Sequence, residues 1–178
     1  MTRVLAVLMM ATLSAGHAAA SATTMLRALD HVCGPLVLED VAIETTLGAP
    51  SSDEAAARLG RFVPRGGKAW PLNEAGVAVV DFADDRTRNC LVVAFDVTDE
   101  DFSAATAVWY DRRKATDREL SGDAGPSSRD FNFFAPAQDG VFIYTHLGWA
   151  DVDRSLAIAE MSRSRFSNRA RRSLEVRY

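Results

Sequence analysis

Cysteine is scarce in this chain, with only Cys33 and Cys90 among 178 residues, and histidine is hardly commoner, with three. Two cysteines exclude a small scaffold packed by several disulfides, and no zinc-type ligand spacing occurs beyond His31-x-Cys33. Long apolar runs are also missing. The longest, residues 4–13, is half of the roughly twenty residues that a membrane-spanning helix needs. There is no G-x-S-x-G and no H-E-x-x-H, and "PRGGKAW" has glycine and lysine without the phosphate-loop spacing. The alternating aspartates of a calcium loop are absent from "DVTDEDF" and "SGDAGPS". The sequence therefore assigns no catalytic residue, no metal ligand and no cofactor.

Positive charge is short in the body of the chain. Residues 21–153 carry 12 Lys and Arg against 22 Asp and Glu, which argues against nucleic acid as a partner, because the phosphate backbone would repel such a surface. Residues 154–178 reverse the balance, with seven Arg against Glu160 and Glu175. Arg169, Arg171 and Arg172 make this tail a candidate for adhesion to an anionic envelope surface, each basic residue adding about 1 kcal/mol near acidic lipid. The competing reading folds the tail back on the acidic body as exposed pairs worth little.

The opening "MTRVLAVLMMATLSAGHAAASATT" has Arg3, an apolar run and small residues through Ala18-Ala19-Ala20, the pattern of a secretory signal peptide. Cleavage is expected after Ala20 or two residues later, with no cysteine near the cut to take a lipid. The expected organisation is a signal peptide over 1–20, a single domain over 21–162 and an Arg-rich tail over 163–178. The remaining chain is not transmembrane on this reading, and its location is periplasmic or secreted. Composition is that of an ordinary globular protein, 48% hydrophobic and 25% charged, so one buried core is expected.

Along the domain, "TTMLRALDHV" predicts a short helix capped by Thr23 or Thr24, with Leu26, Leu29 and Val32 on one face and Gly34-Pro35 as its stop. "LVLEDVAIETTLGAP" is ambiguous between helix and strand. "SSDEAAARLG" predicts a helix from a Ser52 cap to Gly60. "VPRGGKAWPLNEAG" and "TDRELSGDAGPSS" read as loops. "VAVVDFA" and "NCLVVAFDV" predict a hairpin, and the second strand, apolar on both faces, belongs inside the sheet. Residues 99–113 predict a helix, acidic in its first turn, basic in its last, started by Thr98 with Asp101. "RDFNFFAP" and "VFIYTHL" predict a second hairpin through Asp-Gly. "RSLAIAEMS" fits a strand better than a helix capped by Asp153, because a strand closes a meander. The fold class expected is α+β, a mainly antiparallel sheet of about five strands with N-terminal helices and the helix over 99–113 packed on it.

In an oxidising compartment Cys33 and Cys90 are expected to pair, and the 56 residues between them make the closed loop worth about 4 kcal/mol in the chain-entropy picture. Two alternatives compete: a thiol nucleophile at Cys33 with His146 as base, and a zinc site of His31, Cys33, Cys90 and His146. The aromatics of the second hairpin and its exit, Phe131, Phe133, Phe134, Phe142, Tyr144 and Trp149, read as core and sheet-face residues; the competing reading sets Phe134 and Tyr144 on the face opposite the core, where they are a candidate binding surface.

The order of an early cysteine in a short helix ("LRALDHVCGP"), a glycine-ended helix ("AARLGRF") and a second cysteine entering a valine-rich strand ("RNCLVV") resembles small uncharacterised exported proteobacterial proteins with a Cys...Cys pair, over residues 23–97. The resemblance implies paired cysteines and a mixed α/β domain, and carries no activity. The function expected is a non-enzymatic binding or envelope-associated module. The second reading is a small periplasmic hydrolase whose site the sequence does not name.

Overall fold

A computed structural model describes residues 21–51, 59–63, 66–72, 77–83, 87–113, 115, 118–125, 127–136, 141–151 and 155–165. The expected signal peptide, most of the helix capped at Ser52, and Arg169, Arg171 and Arg172 lie outside these residues.

The first described element is helix α1, residues 21–28, which continues into a π-turn, Leu29–Cys33, and then into α2, Gly34–Glu39. Thr23 and Thr24 lie inside α1 and do not cap it. The expected face is buried, with Leu26, Leu29 and Val32 joined by Met25 and Val37. Gly34-Pro35 does not stop the helix. The wider π-turn lets the Gly34 N–H reach the carbonyl of Leu29, and Pro35 enters α2 near its first position, where a missing N–H costs nothing. Asp40, at φ 58°, ends α2 in the left-handed conformation. The ambiguous stretch is thus helical at both ends, because α3, Ile43–Leu47, follows.

The strands are β1 (Lys68–Pro71), β2 (Val77–Ala83), β3 (Thr87–Phe95), β4 (Arg118–Gly125), β5 (Ser128–Pro136), β6 (Val141–Asp151) and β7 (Ser155–Arg165). They form one antiparallel sheet in the order β1-β2-β3-β7-β6-β5-β4. Five were expected; β1 and β4 fall in stretches read as loops. Both are edge strands, which pair on one side only and therefore tolerate Pro71, Gly122 and Gly125. The last element is a strand, and it runs to Arg165, so Arg163 and Arg165, counted with the tail, pair with β6 at Ile143 and Val141.

Helix α4, Asp99–Arg113, carries the chain from the middle of the sheet to its far edge. Thr98 accepts the Asp101 N–H at 3.1 Å and donates to the Asp101 carboxylate at 2.7 Å. Phe102, Thr106 and Trp109 are its buried stripe, and Trp109 meets Phe133 of β5 edge-on at 5.6 Å. Asp30 in the π-turn ties the helices together: it accepts the Trp109 indole N–H at 3.0 Å and pairs with Arg112 and Arg113.

The larger core lies between these helices and one face of the sheet, through Val77, Val79, Cys90, Val92, Ile143, Leu147 and Ala159. Cys33 and Cys90 are bonded at its centre, both fully buried, with Cα atoms 5.3 Å apart. On the opposite face a smaller cluster of Val80, Leu91, Val93 and Leu156 is covered by Leu59, Phe62 and Val63. Asp96, at φ 58°, breaks the alternation of β3, so Val97 joins the helix-side core and not the face of Leu91 and Val93 that strict alternation would give it. Replacing both cysteines by alanine is expected to lower the unfolding free energy by about 4 kcal/mol, the loop-closure contribution for a 57-residue separation. Urea unfolding followed by circular dichroism measures it, and coincident midpoints for the two proteins would refute it.

Candidate functional site

Strand β6 alternates cleanly: Ile143, Thr145, Leu147 and Trp149 are buried under the helices, whereas Tyr144, His146, Gly148 and Ala150 are half-exposed on the other face. Among the described residues, that other face is covered by residues 59–63 over β1, β2, β3 and part of β7. Among the described residues nothing helical covers it over β5 and β6. Register then sets three rows of side chains across this surface: Asp130 and Gly148; Asn132, His146 and Glu160; Phe134, Tyr144 and Ser162.

Hydrogen bonds join these rows into one network. His146 Nε2 lies 2.8 Å from Asp130 Oδ1, the same oxygen that accepts the Asn132 Nδ2–H at 3.2 Å. Tyr144 donates its hydroxyl to the Asn132 side-chain oxygen. Gly148 makes the first of these contacts possible. Asp130 sits directly opposite Gly148, so the His146 ring must lean along its own strand across position 148, where a Cβ would lie 3.1 Å from Nε2.

Glu160 stands opposite His146 in the ladder and is half-buried. Burial holds its carboxyl above the ordinary carboxylate range, partly offset by His146. Burial, with the negative charges of Glu160 and Asp130, also raises the Tyr144 hydroxyl, which stays a neutral donor. Beside the network Phe134 and Phe142 stack at 4.9 Å and 27°. The surface offers aromatic faces next to donors and acceptors, the arrangement that fixes a polar ligand by stacking and hydrogen bonding together.

Phe134 and Tyr144 stand as direct partners on this face, the competing one of the two placements that the sequence allows. His146 appeared in that reading only as a possible thiol base or zinc ligand. The structure separates it from both roles: Cys33 is bonded to Cys90 on the helix side, while His146 projects from the opposite side of the sheet and His31 is exposed on the π-turn. Asp130, Asn132, Gly148 and Glu160 were missed. Their signal was present in the alternations D-x-N-x-F, Y-x-H-x-G and I-x-E of three successive strands, but only the pairing shows that these sets share one face. No protein family, curated protein or solved structure matches the chain.

Two outcomes are expected. Gly148→Ala should push the His146 ring off Asp130 while changing stability by no more than about 1 kcal/mol, since Asp130 is half-exposed and the pair is screened by solvent; unchanged imidazole nitrogen resonances in the variant would refute the seat. For Glu160, a folded-state pKa raised above the unfolded one means that the folded protein binds more protons, so stability is full below the ordinary value of 4.5 and falls as pH rises through the folded pKa. Glu160→Gln should therefore be more stable than wild type at pH 7, the gap closing below pH 4.5, and a pH-independent gap in urea midpoints contradicts this.

Proposed function

We propose that this protein is an exported, disulfide-stapled binding module of the cell envelope, whose ligand surface is the uncovered face of β5, β6 and β7. The observation that carries the reading is the network of Tyr144, Asn132, Asp130 and His146 lying beside the stacked Phe134 and Phe142 on one half-exposed face. Its polar groups spend their hydrogen bonds on one another along a strand pair and leave the aromatic faces toward solvent, which suits recognition better than bond cleavage. The ligand class that matches is a polyhydroxylated one, such as a glycan: aromatic rings take the C–H face of a sugar, and carboxylate, amide and imidazole groups take its hydroxyls. Periplasmic or secreted placement rests on the N-terminal pattern and agrees with a disulfide in the core. Among the described residues no helix is long and apolar enough to cross a membrane.

One observation favours the hydrolase reading: Glu160, raised in pKa by burial and facing His146, is suited to give up a proton. The two readings separate in one titration series. Chito- and malto-oligosaccharides added to the isotopically labelled protein should produce saturable shifts at Tyr144, His146 and Gly148, with the sugars recovered intact. Phe134→Ala and Tyr144→Ala should each weaken binding by about 3- to 10-fold, from about 0.5–1.5 kcal/mol per aromatic contact. Cleaved sugar that disappears with Glu160→Gln would move the assignment to the hydrolase, and no saturable shift on this face overturns the glycan reading.

A further inference from the structure

A second set of charged residues lies on the other face, away from the surface just described. Lys68, Asp81 and Arg88 stand on β1, β2 and β3 in step with Trp70, Val79 and Cys90, and so face the helix layer, at the corner where α3 brings Glu44 alongside. With Ala42 and Phe82 among the walls, they line a groove of about 480 Å³. The four charges form two pairs of different kinds. Lys68 and Glu44, 2.8 Å apart, are 55% and 37% exposed, an outer pair that holds weakly and can swing aside. Arg88 and Asp81, 3.3 Å apart, form the inner pair, and Asp81 is 9% exposed.

The inner pair is incomplete. Asp81 Oδ1 and Arg88 Nε are both buried with no hydrogen-bond partner, one acceptor and one donor left unmet within one ion pair. Each such group destabilises a folded protein, and an apolar pair at these positions would avoid the cost. Desolvation of Asp81 is strong enough to outweigh both neighbouring cations and raise its pKa. Buried polar atoms without partners in a charged groove are explained when something else completes them.

We propose that this groove binds a free α-amino acid as its zwitterion, the ammonium on Asp81 and the carboxylate on Arg88, with the Lys68–Glu44 pair opening to admit it. A zwitterion answers both unmet atoms with one molecule. Two cations and two anions in the walls sum to zero, which favours a ligand of zero net charge over a simple anion or cation. The volume exceeds what glycine fills, leaving space for a side chain.

The test is a titration of the disulfide-bonded protein with glycine and L-alanine, with acetate and methylammonium as separate probes, followed by NMR at the Arg88 side-chain Nε–H and the Gly66 and Ala83 amides. The expected result is a saturable shift with both amino acids and none with acetate or methylammonium alone. Asp81→Asn should weaken binding at least tenfold. Arg88→Lys, which keeps the charge and removes the Nε–H donor, should do the same and serves if Asp81→Asn does not fold. No saturable shift with the amino acids, an equal response to acetate or methylammonium, or unchanged affinity in both variants overturns the proposal.

Discussion

The ladder between β3 and β7 holds this architecture together. It pairs nine residues of a strand that closes one meander, β1-β2-β3, with nine of a strand that closes the other, β4 to β7, across a sequence separation that spans the whole of α4. Without it there are two small sheets, each with a long exposed edge; with it there is one seven-stranded sheet wide enough to carry a helix layer. Such a contact gives nothing until its long loop is closed, so it depends on apolar burial at both strands. Val92, Ala94, Ala157 and Ala159 supply that burial on the helix side, and Val93, Leu91 and Leu156 on the other.

The disulfide works on the same joint from above. Cys90 lies within the β3–β7 ladder, opposite Met161, and its bond to Cys33 anchors the π-turn directly over it. The π-turn in turn holds Asp30 against Trp109 and the arginines of α4. One covalent link therefore positions the first helices, and through Asp30 the second part of the helix layer, relative to the central strands. The helices are spent on one face. The chain has only residues 59–63, among those described, to cover the other, and they reach the β1–β3 half alone. The half that no described residue covers is where the candidate surface lies.

Within that surface the chemistry depends on a missing side chain. Any residue larger than glycine at 148 would occupy the space over which the His146 ring lies to reach Asp130. The backbone there is ordinary strand, so the requirement is for room and not for an unusual dihedral angle. This differs from Gly60 and Gly66, whose positive φ values of 49° and 83° call for glycine on conformational grounds.

Much of the local structure was legible in the chain itself. Helix α4, with its Thr98–Asp101 start and basic last turn, the both-sided burial of β3 and the strand character of residues 155–162 follow from periodicity and capping, which act over a few residues. The pairing of Cys33 with Cys90 was the expectation for a two-cysteine chain read as exported. What the sequence could not show depends on partners far along the chain. β1 and β4 carry weak local signals and become strands because a neighbour offers an edge to pair with, and the helix passes Gly34-Pro35 because a π-turn anchored by the disulfide absorbs the missing N–H. The gathering of Asp130, Asn132, Tyr144, His146 and Glu160 on one face was decided only by register, since a slip of one residue in any ladder would have sent part of the set into the core. Local chemistry determined the elements; the long-range pairings decided which of their side chains meet.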